Sequence, residues 1–194
     1  INRELYMEQI TPFIDKPFVK VITGIRRCGK SVVLRLIREE LLRRGVSEDY
    51  IIYMNFESFE WIDMKEAKAL YAHIREATKA SGKYYILLDE IQEVTDWEKA
   101  VNAFLVDLDV DIYVTGSNSR LLSSEFSTYL AGRYVAFHIM TLSFREYLLF
   151  HDLPLTISVS DRKTEFLKYL RMGGFPAIHT ANYDYNAIYK IVYD

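Results

Sequence analysis

The chain is short of several things that would narrow its function at once. It has one cysteine, Cys28, among 194 residues, so no internal disulfide can form and a reducing, cytoplasmic setting fits best. It has no apolar run near the roughly 18 residues that a membrane-spanning helix needs. The opening stretch INRELYMEQITPF carries charges and lacks the apolar centre of a signal peptide. The four histidines (His73, His138, His151 and His179) are dispersed and show no metal-site spacing. An excess of one charge sign is also missing. The 24 basic and 27 acidic side chains leave a net charge of −3, which gives no global pull toward nucleic acid or membrane and leaves only local basic patches to consider. No repeat or low-complexity segment is visible. The chain begins at Ile1 without a methionine and ends in the amphipathic NAIYKIVYD, and we expect the natural protein to continue past both ends.

What is present is ample core material in an ordered alternation. Half the residues are apolar and 14% aromatic, which suits one domain, or one domain plus part of another. Residues 17–23, 50–56, 84–89, 111–116 and 133–140 read as strands, rich in β-branched and aromatic side chains. YYILLD is a continuous apolar run, as expected of a strand covered on both faces. Helical spacing predicts helices over Ser31–Arg44 with Gly45 as C-cap, Asp63–Ala80 ended by Gly82, and Leu121–Ala131. Another stripe runs from Trp97 to Leu108, with Thr95 or Asp96 as N-cap. The βαβαβαβαβ order predicts an α/β fold, a parallel sheet between two helical layers. From Ser143 the character changes. SFRE is a capping box, a loop or linker follows at 153–160, and a helix over Ser160–Met172 closes at Gly173 and Gly174. This divides the chain into a domain over 1–142 and the start of a small helical subdomain over 143–194.

The first chemical signal lies between the first strand and its helix. Gly24, Gly29, Lys30 and Ser31 fit G-x-x-x-x-G-K-[ST], the Walker A pattern, in strand–loop–helix context. Glycines let the backbone curl so that several N–H groups converge on one phosphate. The helix that follows adds its partly positive N-terminus. Lys30 supplies a mobile charge for the β- and γ-phosphates, and the Ser31 hydroxyl can enter the shell of Mg²⁺. The expected contact set is Gly24, Ile25, Arg26, Arg27, Cys28, Gly29, Lys30, Ser31 and Val32, with Cys28 filling a slot that needs a small residue. The second signal, Walker B, ends the 84–89 strand. Asp89 is placed to hold Mg²⁺, and Glu90 to deprotonate an attacking water.

Strand tips of a parallel sheet share one crevice, which nominates further residues. Asn55 either holds Glu90 in an idle posture or caps its strand. Ser117 or Asn118 either senses the γ-phosphate or belongs to a turn. Arg133 either reaches a neighbouring subunit's γ-phosphate or is a surface charge. Arg35, Arg38, Arg43 and Arg44 form a basic face that leaves DNA open as a partner, although such runs are commonly solvated. The tyrosines at 183, 185, 189 and 193 read as a helix-packing surface.

Taken together, GIRRCGKS, YMNFE, ILLDEIQ, YVTGSNSRLLSSEFSTYLAGRY, LSFREYL and GGFP resemble the AAA-type ATPases of bacteria and archaea. In that family an N-terminal ATPase domain precedes a C-terminal domain with a nuclease-like fold. The resemblance spans about residues 17–178. It implies a P-loop NTPase three-layer αβα sandwich with strand order 5-1-4-3-2, ATP as the nucleotide and Mg²⁺ as its metal. By analogy it places the strand-four polar residue at Ser117 or Asn118 and the inter-subunit arginine at Arg133. No clear sensor arginine stands in the helical part beyond Arg171, which leaves a homo-oligomeric ring an open expectation. The expected activity is hydrolysis of Mg-ATP to ADP and phosphate to move an attached domain or a DNA or protein partner. The alternatives are a slow nucleotide-gated switch and a small-molecule kinase. The adjacent Asp-Glu pair and the lack of an Arg-rich lid speak against the kinase.

Overall fold

The computed structural model describes residues 3–117, 121 and 129–180. Asn118, the expected helix over 121–131 for the most part, and the terminal tyrosines lie outside them. The described residues form two compact units. One takes in the residues up to Gly24 and Lys30–Ile139, and the other takes in Ile25–Gly29 and the residues from Met140 on.

The first unit is built on five strands: β1 (Val19–Gly24), β2 (Ile51–Asn55), β3 (Tyr84–Asp89), β4 (Val110–Gly116) and β5 (Tyr134–Ile139). All four pairings are parallel and the order is β2-β3-β4-β1-β5, which is the expected 5-1-4-3-2. Helices α1 (Glu4–Ile10), α2 (Lys30–Arg43), α3 (Ala67–Ala77) and α4 (Trp97–Asp107) flank it. Helix α2 ends as predicted: Gly45 has φ of 90°, its N–H donates to the Leu42 carbonyl, and that of Val46 donates to Leu41, a Schellman closure.

Helix α3 is shorter than predicted at both ends. The Ala67 N–H donates to the Thr95 carbonyl and the Thr95 N–H to the Lys65 carbonyl, which holds Glu66 extended between them. Asp63 and Met64 therefore close a separate 3₁₀ segment, Phe59–Met64. At the other end the Thr78 hydroxyl bonds back to the Ile74 carbonyl at 2.9 Å, and the helix stops there, ahead of Gly82. Asp96 stands at the N-cap of α4 without a capping bond, and its carboxylate pairs with Lys99 at 3.0 Å instead.

The two faces of the sheet differ in kind. Val19, Val21, Met54, Ile86, Leu88, Ile112 and Val114 point to one side and join Leu70, Ile74, Trp97, Val101 and Phe104 of α3 and α4 in an apolar core. The strand alternation and register put Lys20, Tyr53, Tyr85, Asp89, Asp111, Tyr113 and Thr115 on the other. At the N-terminal end of that face Lys20 and Asp111 form a buried ion pair. Asp111 also accepts from the Tyr113 hydroxyl at 2.8 Å and the Asp15 N–H at 2.9 Å. Burial lowers the Lys20 pKa against the pull of Asp111. Burial likewise pushes the Tyr85 phenol up to about 12, helped by its bond to Asp15. Breaking a buried pair strands one charge, so Lys20→Met should cost about 3–5 kcal/mol of stability. Urea denaturation checks this; a midpoint equal to wild type would show that the remaining donors satisfy Asp111 alone.

The second unit carries α5 (Phe144–Phe150), α6 (Val159–Met172) and α7 (Pro176–Thr180). Ser143 and Glu146 make the predicted capping box in full. Helix α6 starts one residue ahead of the prediction, because Ser158 caps it by accepting from the Asp161 N–H. Phe144 and Tyr147 of α5 meet Phe166 and Tyr169 of α6 edge-on or tilted, in one aromatic cluster. No helix among the described residues is long and apolar enough to cross a membrane.

Candidate functional site

The C-terminal ends of β1 and β3 carry the two sequence signals. Strand β1 is buried throughout and ends at Gly24, and α2 begins at Lys30. Between them the backbone takes a path few residues accept. Gly29 has φ of 108° and Arg27 has φ of 64°, the latter a left-handed conformation that costs a non-glycine residue roughly 1–2 kcal/mol. A bond from the Cys28 N–H to the Ile25 carbonyl, 3.3 Å, closes the turn. Ile25, Arg26 and Arg27 are exposed, whereas the Cys28 side chain is fully buried. Helix α2 begins at Lys30, and any helix start turns its first N–H groups outward from the helical bonding pattern.

Lys30 and Glu90 meet in space. Lys30 Nζ lies 3.2 Å from Glu90 Oε1, and their side chains are 4% and 15% exposed. Glu90 sits immediately after β3 with φ of 55° and ψ of 48°, which turns the chain sharply away from the strand. Its other oxygen accepts from Gln92 Nε2. Asp89, the last residue of β3, is fully buried. Its Oδ2 accepts from the Tyr53 hydroxyl at 3.0 Å and its Oδ1 from the Thr115 hydroxyl. Thr115 in turn accepts from the Glu90 N–H at 2.9 Å, so one threonine ties both acids to β4. Burial and the neighbouring Asp89 carboxylate push the Tyr53 phenol well above its ordinary range, and it stays a donor.

The softer candidates fall in different places. Asn55 Oδ1 accepts from the Glu57 N–H at 3.0 Å, which is the strand-end cap; Gln92 and Lys30 occupy the Glu90 carboxylate instead. Ser117 follows β4, half-buried, and its carbonyl accepts from the Leu121 N–H at 3.0 Å. Arg133 precedes β5, and its carbonyl accepts from the Val19 N–H at the start of β1. Because β1 and β5 run parallel from there to Gly24 and Ile139, the length of the sheet, about 15–20 Å at ~3.3 Å per residue, separates Arg133 from its own phosphate loop. Its guanidinium donates to Asn102 Oδ1 at 3.1 Å.

Tyr53, Thr115 and Gln92 did not stand out in the sequence. The available signal was polarity at alternate positions of strands otherwise apolar enough to be buried, with Thr115 two residues beyond Tyr113 on the face that carries Asp89. Among the described residues no group of three or more His, Cys, Asp or Glu side chains is arranged as a metal site. A single carboxylate with a hydroxyl is nonetheless a fit for magnesium, which keeps much of its water. Asp89 meets that need, since it is buried with two hydroxyl donors and, among the described residues, no cation bonded to it.

A parallel sheet in this order, with a glycine loop leading from β1 into α2, is the fold of the P-loop NTPases. Within that class the sequence matches the family described as "AAA domain" over residues 16–148, and the chain belongs to that family. It is 43% identical over 183 residues to an uncharacterized protein of Haemophilus influenzae, covering 94% of this chain and 45% of that protein. It is 35% identical over 183 residues to an uncharacterized protein of Methanocaldococcus jannaschii, covering 92% and 39% respectively. The chain thus spans less than half the length of these relatives. Among solved structures it is similar in fold to the AMPPCP-bound DnaA of Aquifex aeolicus, with a TM-score of 0.59 and 15% identity over 91% of this chain and 58% of that one. It is similar also to Hsp104 in its closed state with ATPγS and FITC casein, with a TM-score of 0.58 and 12% identity over 93% and 36%.

Proposed function

We propose that the chain binds ATP with Mg²⁺ along Gly24–Val32 and hydrolyses it to ADP and phosphate, driving a conformational change in an attached domain or partner. The observation that carries this is the meeting of Lys30 with Glu90, 3.2 Å apart, beside a buried Asp89. The backbone N–H groups of the loop and of the α2 N-terminus bind the phosphates. Lys30 leaves Glu90 for the β- and γ-phosphate oxygens. Ser31 and Asp89 would hold Mg²⁺, which neutralises charge developing on the phosphates. Glu90, released, takes one proton from a water whose oxygen bonds to the γ-phosphorus. The bond from that phosphorus to the β–γ bridging oxygen breaks, and its electron pair leaves with ADP. Ser117 or Asn118 would meet the γ-phosphate, and Arg133, too far from its own loop, would reach that of a neighbouring copy in a homo-oligomer. The AMPPCP in the DnaA neighbour is in keeping with this nucleotide.

The parked state of Glu90 favours a second reading, a slow nucleotide-gated switch, because each turnover must first break the Lys30–Glu90 pair. The division into an ATPase domain over 1–142 and a helical subdomain over 143–194, a cytoplasmic location, and a nuclease-like domain following in the full-length protein belong to the same proposal. Phosphate release from Mg-ATP by the full-length protein, with and without DNA, tests it. Release above the buffer rate is the expected result, and DNA or a protein partner that raises it identifies what is moved. Release no faster than buffer, with tight ATP binding, would establish the switch.

A further inference from the structure

Beside the two acids lies a polar atom with no partner among the described residues. Gln92 stands in the 3₁₀ turn Ile91–Glu93 that follows Glu90. Its Nε2 donates to Glu90 Oε2. Its Oε1 is buried and has no hydrogen-bond partner among the described residues. The amide cannot be turned over to cure this, because the oxygen would then face the carboxylate, acceptor against acceptor. An unpaired buried acceptor has lost its water without replacement, and in a native site it asks for an explanation such as a water or a ligand.

The surroundings keep that oxygen in place. It faces Gly116, the last residue of β4, where a Cβ would overlap it and would also lie 2.7 Å from Leu121 Cγ. Only a glycine fits here, because the amide oxygen and Leu121 already take up the space that a side chain would need. The carboxylate held by the same amide is the one that Lys30 touches. One side chain therefore presents a donor to the candidate base and, on the same amide, a buried acceptor with no partner among the described residues.

We propose that Gln92 is the positioning residue for the attacking water. The inference rests on the hydrolytic reading above. Nε2 holds Glu90, and Oε1 accepts one hydrogen bond from the water while Glu90 accepts the other. A water donating both protons in this way has its lone pairs turned toward the γ-phosphorus. During attack the proton shared with Glu90 is transferred to it, and the proton shared with Gln92 stays on the oxygen that becomes part of phosphate.

Gln92→Met tests this because methionine keeps the length and buried shape and removes both donor and acceptor. The readouts are kcat and KM for Mg-ATP and the affinity for AMPPCP with magnesium. The expected result is a kcat about 10–100-fold lower, with KM and AMPPCP affinity within about twofold of wild type. Wild-type kcat in Gln92→Met would overturn the inference. So would equal losses in kcat and AMPPCP affinity, which signify disturbed structure and not a misplaced water. If Gln92→Met melts early, Gln92→Glu is read in its place, since it keeps size and polarity but turns the donor on Glu90 into a repelling oxygen; wild-type kcat there would overturn the inference equally. A wild-type chain that binds AMPPCP yet releases no phosphate would remove the hydrolytic reading itself, an outcome distinct from an unaffected Gln92→Met in an active background.

Discussion

Lys30→Ala should weaken Mg-ATP binding by at least about 100-fold, to the point where none is detected at micromolar protein. The size follows from the side chain's setting. Its ammonium is nearly enclosed, at 4% exposure, so its interaction with a phosphate is screened less than that of a surface charge. Removing one member of a buried charged contact typically costs 2–5 kcal/mol or more, and each ~1.4 kcal/mol is tenfold in affinity. One complication is that Lys30→Ala also takes a partner from Glu90. Gln92 still donates to that carboxylate, which limits the disturbance. Lys30→Met, which keeps most of the stem, separates loss of charge from loss of packing. Titration with a fluorescent ATP analogue, alongside a thermal melt, reads both. Unchanged affinity in a folded Lys30→Met protein would show that the lysine does not hold the nucleotide, and the loop assignment would fail with it.

How much of this was legible beforehand depended on the range over which each feature is determined. Strand β3 was read residue for residue, because burial on both faces leaves an unbroken apolar run that ends where the carboxylates begin. The sheet order came with the resemblance. The closure of α2 at Gly45 and the opening of α5 at its capping box are local chemistry, and both are present. The start of α3 was misplaced because it depends on a bridge between Glu66 and Thr95, two positions whose pairing no window of helical spacing can reveal. The same division runs through the candidate site. Lys30, Asp89 and Glu90 belong to short local motifs. The groups that hold the acids come from other strands: Tyr53 from β2 and Thr115 from β4, in reach of Asp89 only once the parallel register is set. Asn55 drew attention as a polar strand end, yet the residue bonded to Glu90 was two positions along the same stretch, in DEIQ.

Glu90→Gln should keep nucleotide binding and lose hydrolysis, with kcat down by about 100-fold or more, the usual contribution of a positioned general base. The substitution is nearly isosteric, so the left-handed turn at position 90 and the packing around it should survive. An amide cannot take a proton from water at neutral pH, which removes the base while leaving the phosphate loop and Asp89 intact. Binding should even tighten a little. In the wild type, Lys30 must give up an ion pair with Glu90 before it can turn to phosphate, and a neutral glutamine holds that ammonium less firmly. The prediction therefore has two parts with opposite signs: affinity for Mg-ATP equal to or above wild type, and phosphate release at or near the buffer rate. Single-turnover quench measurements with saturating enzyme separate them, because they report the chemical step free of product release. A Glu90→Gln chain that binds and still turns over at the wild-type rate would leave Glu90 as a structural partner of Lys30 and move the search for the base elsewhere.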